Sequence, residues 1–132
     1  MKMKRLCVLV MVYKTCLDNP ACEFVEFRID NETGSQTIVA DFGDGSFSTD
    51  NDAGICRVER LALSYYQGRE FCWEVRALRK DFPVTIHQNH VGIGEPRSLC
   101  LYIEPWSSVE RSWTPALFLQ RIFWWLRATA DG

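Results

Sequence analysis

At 132 residues, the chain is long enough for one domain and too short for two comfortable ones. Hydrophobic residues make up 47% of it and charged residues 24%, which excludes the composition of a disordered protein. Fifteen Lys and Arg residues nearly balance seventeen Asp and Glu residues, and no basic run stands out, so we expect no nucleic-acid partner.

The N-terminal segment begins with the basic residues of Met1 to Arg5 and continues as an unbroken apolar run, Leu6 to Tyr13. The run suits either a strand or a buried helix. It also resembles the start of a secretory signal, but Lys14 ends it without a small-residue cleavage site. No apolar run in the sequence approaches the ~20 residues that a helix needs to span a membrane. We therefore expect a cytoplasmic protein with no membrane partner, and its six cysteines, which contain no C-x-x-C pair, to be reduced.

Four segments have the two-residue period of half-buried strands: residues 23–29, 37–42, 61–65 and 71–77. In the first, Val25, Phe27 and Ile29 share the predicted buried face. Residues 43–54, rich in Gly and Asp, are predicted to form a loop. The spacing predicts an antiparallel sheet of about four strands.

A helix is predicted to follow an irregular segment over residues 84–112. Thr114 suits the N-cap, Pro115 the first helical position, and Trp113 with Phe118 a hydrophobic staple. The helix should run to about Ala130 and, being apolar nearly all round, should be buried on more than one side. Strands, an irregular segment and then a helix predict an α+β fold.

The irregular segment contains the candidate site. Cys100 stands between two leucines, a setting in which cysteine usually packs in a core. It also follows His87, Asn89 and His90, and lies upstream of a positively polarised helix N-terminus. These neighbouring residues and the helix N-terminus make Cys100 a candidate nucleophile.

Two other interpretations use the same residues. His87, His90 and Cys100 could bind a metal, but the H-x-x-H spacing is short for zinc and no fourth ligand is evident, so we expect neither a metal nor a cofactor. Alternatively, a histidine and Cys100 could form a hydrolase pair with Asn89 as the orienting group.

Three motifs occur in a characteristic order: His87-Gln88-Asn89, then Leu99-Cys100-Leu101, then WTPAL at 113–117. Together they resemble the ubiquitin-conjugating enzymes, whose fold has a four-stranded sheet, an active-site loop and a long helix. The resemblance covers roughly residues 54–132. The runs EVRALRKDFP, HQNH, SLCLY and WTPALFLQRIFWWLRATADG are similar to the prokaryotic branch. Its members occur beside or fused to ThiF-type activating enzymes in bacterial operons, including anti-phage systems.

The resemblance implies a role for each matching residue. Cys100 would form the thioester, and Asn89 would order the active-site loop and stabilise the oxyanion, with His90 or His87 as second candidates. Trp113 and Pro115, together with Trp106, would support the active-site loop.

The sequence departs from the eukaryotic pattern at three points. Gln88 stands where the motif has proline. Cys100 follows Asn89 by eleven positions and precedes Trp113 by thirteen, and both gaps are longer than in the eukaryotic pattern. The chain also ends where eukaryotic relatives continue. We expect one domain over residues 1–132, either complete or the N-terminal part of a longer protein.

The function implied is acyl transfer. Cys100 would accept the C-terminus of a ubiquitin-like modifier, or of a target protein, from a ThiF-type activating enzyme. It would then pass this group to an amine of a protein target, in an anti-phage setting by resemblance. The alternatives are a non-catalytic interaction domain of the same fold, and the cysteine hydrolase.

Overall fold

The computed structural model describes residues 2–46 and 50–132, with the side chains of the first helix described from Val8 onward. The elements in chain order are α1 (Lys2–Asp18), β1 (Cys22–Ile29), β2 (Gln36–Phe42), β3 (Glu59–Tyr65), β4 (Trp73–Ala77), β5 (Gln88–Asn89), β6 (Arg97–Leu99), α2 (Trp106–Val109) and α3 (Pro115–Asp131). The predicted α+β class is confirmed.

The sheet has six strands, so the prediction of four was wrong. The order is β1-β2-β3-β4-β6-β5, and every neighbouring pair is antiparallel. The two additional strands, β5 and β6, lie in the segment expected to be irregular and span only two and three residues. Strands this short show no hydrophobic period, so alternation could not predict them.

Helix α1 resolves the ambiguity of the apolar N-terminal run, which is helical. Leu9, Val12 and Cys16 are buried, at the i, i+3, i+7 spacing of one helix face. Through that face α1 packs against β1 and α3.

The core lies between one face of the sheet, α1 and α3. On β4 the buried positions alternate as predicted, and Val75 and Ala77 face the same side as Leu61 and Leu63 of β3. On β3 the alternation is incomplete, since the intervening Ala62 is buried as well. From α3, six residues are buried against this layer: Phe118, Leu119, Ile122, Trp125, Leu126 and Ala130.

Strand β1 departs from the predicted alternation because it contains a β-bulge between Phe24 and Glu26. The extra residue places Phe24 and Phe27 on one face, three positions apart, where both rings lie 4.9 Å from that of Tyr13. As the edge strand, β1 leaves Phe27 48% and Ile29 70% exposed. The expectation of a half-buried strand with Val25, Phe27 and Ile29 on its buried face was therefore wrong.

The start of α3 is as predicted. Thr114 is the N-cap, and its hydroxyl oxygen accepts a hydrogen bond from the Leu117 N–H at 3.1 Å. Pro115 is the first helical residue, and the rings of Trp113 and Phe118 lie 5.5 Å apart. The helix is less enclosed than expected, since the Trp124 side chain is 43% exposed.

The loop predicted over residues 43–54 includes residues 47–49, which lie outside the described residues; the described remainder contains neither helix nor strand. None of the helices in the described ranges has the length and apolar character needed to cross a membrane.

Candidate active site around Cys100

Cys100 directly follows β6 and is half-buried. Its backbone N–H donates to the His87 carbonyl oxygen at 3.0 Å, which ties the end of β6 to the start of β5. Its thiol donates to the Tyr102 carbonyl oxygen, with 3.7 Å between the sulfur and the oxygen. Neighbouring backbone thus fixes the position of the sulfur.

Two clefts meet at this residue. The first, which we name the aromatic cleft, has a volume of about 440 Å³ and is lined by six aromatic side chains, with Arg69, Glu70, Glu74 and Asn89 as its polar side chains. The second, the apolar cleft, has a volume of about 410 Å³ and is lined by Ile86, Ile103 and Trp125 among others. Cys100 and Leu101 line both clefts. Of the cysteines whose side chains are described, Cys100 alone lines either one.

The other described cysteines have different surroundings. Burial raises the pKa of the Cys72 thiol. The pKa of Cys22 is raised chiefly by its hydrogen bond with Cys16 and further by burial. Both are therefore mostly protonated near neutral pH and poor nucleophiles. Cys56 is exposed but lines neither cleft.

His87 has an unusual backbone. Its φ angle is 65°, in the left-handed region, and its carbonyl oxygen accepts from both the Cys100 N–H and the Trp125 indole Nε1–H, each at 3.0 Å. The exposed His87 side chain lines the apolar cleft beside Cys100.

His90 is exposed and lines neither cleft. Of the two predicted histidines, the structure therefore places only His87 in a cleft that Cys100 also lines. Among the side chains of residues 8–46 and 50–132, no group of three or more from His, Cys, Asp and Glu is placed to hold a metal ion.

Asn89 lies beside Cys100 despite the gap of eleven residues. The gap is a hairpin: β5 and β6 are antiparallel, and Asn89 stands opposite Ser98. The Asn89 Nδ2 group donates to the Ser98 hydroxyl at 3.0 Å and to the Leu99 carbonyl oxygen at 3.3 Å. Asn89 therefore anchors the strand end that presents Cys100.

Asn89 is connected to further polar residues that the sequence did not indicate as part of the site. The buried Ser98 hydroxyl donates to Glu74 Oε2 at 3.0 Å. Glu74 Oε1 lies 3.3 Å from Arg76 Nε, and Arg76 Nη1 donates to Glu95 at 2.9 Å. The alternation of Glu74 and Arg76 marks them as outward-facing on β4. Ser98 carries no such signal.

Gln88 occupies the position at which the resembling motif has proline. Its Nε2 donates to the Pro83 carbonyl oxygen at 2.9 Å, and its Oε1 accepts from Arg97 Nε at 2.8 Å. Hydrogen bonds thus hold the backbone before β5 against β6 by a means that proline could not provide.

The predicted loop-supporting tryptophans lie together. Trp106, at the start of α2, contacts Trp113 with 6.2 Å between ring centroids, and Trp113 stacks on Trp73 at 6.3 Å. Both line the aromatic cleft, whereas Pro115 lies in α3 and lines neither cleft.

Chemically, the site offers a thiol reached from two sides. No described side chain hydrogen-bonds to the Cys100 sulfur, whose partner is a backbone carbonyl. A hydrolase needs a base at its nucleophile, whereas exchange between thioesters is nearly balanced and needs chiefly an accessible thiol.

Residues 31–132 match the family model described as Prok-E2_A, prokaryotic E2 family A. The match covers β2 through α3, which is more than the motifs indicated, and leaves α1 and β1 outside. No curated protein and no solved structure matches the chain significantly.

Proposed function

The chain belongs to prokaryotic E2 family A, and from this premise we propose that Cys100 carries the C-terminus of a ubiquitin-like protein as a thioester and passes it to an amine. Family membership supports ubiquitin-like conjugation in general. The observation that carries the assignment to Cys100 is its position in the wall between two clefts, where a donor and an acceptor can approach one sulfur from different sides.

In the first step, the Cys100 sulfur attacks the thioester carbonyl held by an activating enzyme. A new C–S bond forms, the old one breaks, and the activating enzyme's thiol is released. Since one thioester replaces another, the exchange needs little driving force. A half-buried thiol on a fixed strand end meets this requirement.

In the second step, an amine replaces the sulfur. Free lysine has a pKa of about 10.4, so a partly desolvated approach that favours the neutral amine speeds attack. The aromatic cleft offers such an approach, since six aromatic side chains line it.

Asn89 orders the active-site loop in this proposal. Its bond to the Leu99 carbonyl supports that role. To act as an oxyanion donor as well, Asn89 would have to release Ser98 or Leu99, because both protons of its amide are engaged there. His87, beside the sulfur in the apolar cleft, is the next candidate donor, and His90 follows it.

The partners proposed are a ubiquitin-like modifier, a ThiF-type activating enzyme and a protein target with an acceptor amine. These, the anti-phage setting and the cytoplasmic location come from the resemblance and remain predictions.

A charging assay tests the proposal. The protein is incubated with the modifier and activating enzyme of its own operon and ATP, and its intact mass is read with and without reductant. We expect an adduct that reductant removes, that is lost in Cys100→Ala and that becomes reductant-resistant in Cys100→Ser. Cys56→Ser, which removes an exposed thiol away from both clefts, is the matched control and should charge normally.

Two outcomes would contradict the proposal. No adduct, with the activating enzyme shown to be loaded, would favour a non-catalytic interaction domain. Release of the modifier from a thioester or isopeptide substrate without any activating enzyme would favour a hydrolase.

A further inference from the structure

We propose that Ser98 and Glu74 are positioning residues for the transfer to the amine. They hold Asn89 so that its carbonyl oxygen, Oδ1, is the atom offered to the attacking amine in the aromatic cleft. This inference rests on the proposed function and assigns the acceptor side of the same site.

The orientation of the Asn89 amide follows from the partners behind it. A carboxylate can only accept, so the Ser98 hydroxyl must give its proton to Glu74. The Ser98 oxygen is then left as an acceptor, as the Leu99 carbonyl oxygen always is, and both require the NH₂ group of Asn89. Reversing the amide would bring its oxygen against two other oxygens.

The frame behind Asn89 stands on strands rather than on a loop. Ser98 is buried in β6 and pairs in register with Arg76 of β4 and with Asn89 of β5. Glu74 forms an ion pair with Arg76, 3.3 Å from Oε1 to Nε and without hydrogen-bond geometry, and the Arg76 guanidinium donates to Glu95 in the β5–β6 connection. Charged side chains of β4 and of the β5–β6 connection therefore surround the Ser98 hydroxyl that orients Asn89.

This arrangement leaves Oδ1 as the free polar atom of Asn89. Asn89 is exposed, lines the aromatic cleft, and receives no hydrogen bond at Oδ1 from any side chain described, those of residues 8–46 and 50–132. A free acceptor suits an amine, which brings N–H donors. The charges of this cleft nearly balance, since Arg69 lines it beside Glu70, and Glu74 is paired with Arg76.

The step balances as an aminolysis. One amine N–H donates to Asn89 Oδ1 while the nitrogen lone pair attacks the thioester carbonyl carbon. The C–N bond forms, and the C–S bond breaks with its electron pair passing to Cys100. The nitrogen releases a proton to water, and the thiolate takes one from water. Asn89 orients the amine and does not take its proton.

The test uses a thioester that needs no activating enzyme. A synthetic glycine-ended peptide thioester loads Cys100 in a Cys56→Ser background, and peptide mapping locates the adduct. The loaded chain is then given either free lysine or 2-mercaptoethanol, and loss of the adduct is followed by intact mass. Mercaptoethanol attacks as its thiolate, whose sulfur carries no proton, so its attack does not need Asn89 Oδ1 as an acceptor.

We expect Ser98→Ala to slow aminolysis roughly 10- to 100-fold, the scale on which a misplaced group costs rate, and to leave reaction with mercaptoethanol unchanged. Ser64→Ala is the matched control, because it removes a hydroxyl bonded at 2.7 Å to Thr37 on the same sheet, away from both clefts. Combining Ser98→Ala with Asn89→Ala should be no slower than Asn89→Ala alone.

Glu74 provides a second route if Ser98→Ala folds poorly. Glu74→Leu removes the acceptor that orients Ser98. Its aminolysis should therefore be as slow as that of Ser98→Ala. Glu74→Gln, which still offers an oxygen to Ser98, should restore most of the loss.

Equal aminolysis in Ser98→Ala, Ser64→Ala and the parent would overturn the inference. An equal loss toward lysine and mercaptoethanol would overturn it too, since a loosened site slows both. Either result leaves the carrier role of Cys100 intact. If instead the thioester of the folded parent reacts with lysine no faster than the thioester of the urea-unfolded chain, the proposed function fails, and the positioning role fails with it.

Discussion

His87 adopts a left-handed backbone conformation next to the candidate nucleophile. At its φ of 65° the Cβ of most L-residues is crowded, and Asn and Gly tolerate the region best. In this conformation, the His87 carbonyl oxygen accepts hydrogen bonds from both the Cys100 N–H and the Trp125 indole N–H. Backbone strain is thus located where the chain must turn to present the sulfur.

We predict that two substitutions of His87 will distinguish the strain of its backbone from the effect of losing its side chain. His87→Asn should keep wild-type stability, whereas the β-branched His87→Val should lower the free energy of unfolding by about 1–2 kcal/mol. Urea unfolding measures both. His90→Val, at an exposed position without positive φ, is the control and should change little. Equal midpoints for the two valine variants would show that the backbone at His87 is not strained.

At the scale of elements, an ion pair joins the start of β3 to the segment after β4. The Glu59 side chain is 1% exposed, and Arg79 donates to its two oxygens at 3.1 and 2.8 Å. The Cys56 N–H also donates to Glu59, and Arg79 reaches the Gly54 carbonyl. The hydrogen bond to Glu59 raises the pKa of Arg79 above its usual range.

Removing the cation from this pair should be costly because it leaves a buried carboxylate with only the Cys56 N–H as a donor. We predict that Arg79→Met lowers the free energy of unfolding by about 3–5 kcal/mol. Arg60→Met is the matched control: Arg60 bonds Asp41 in the same bidentate way, but its side chain is 52% exposed, so the loss should stay below about 1 kcal/mol. Chemical denaturation compares the two, and similar losses would contradict the assignment.

The elements divide into those that local sequence predicts and those that it does not. The start of α3 depends on neighbours in sequence, Thr114 with Leu117 and Trp113 with Phe118, and was predictable. The β5–β6 hairpin depends on pairing with β4 and on two or three residues per strand, below the length at which a period is visible. The bulge in β1 was hidden for the opposite reason, since its sequence alternates well although its register shifts.

The site divides in the same way. Cys100 and Asn89 could be predicted as site residues because they stand in short motifs, and their proximity follows from the hairpin that the spacing concealed. Ser98 and Glu74 could not be predicted as their neighbours, because the contact joins residues 24 positions apart and belongs to no motif. Contacts of this kind follow from strand register, which one sequence does not reveal.

At the scale of the whole molecule, helix α1 lies outside the residues that match the family, yet it completes the core. We predict that Val12→Ala, at a fully buried position, lowers the free energy of unfolding by about 2 kcal/mol, from two lost methyl groups and the cavity they leave. Val10→Ala, on the partly exposed side of the same helix, should stay within about 0.5 kcal/mol. Thermal or urea unfolding decides, and equal losses would mean that α1 does not pack as described.

The two clefts that share Cys100 have a consequence for how such a transferase could diversify. Apart from Cys100 and Leu101, their walls have no residue in common. Substitutions that retune one side therefore need not disturb the other, and a lineage could acquire new acceptors while keeping its donor. In steady-state terms, two substrates that bind different clefts would not compete: raising the amine concentration should raise turnover and the KM for the donor together, as in a two-step transfer through a covalent intermediate, and leave kcat/KM for the donor unchanged.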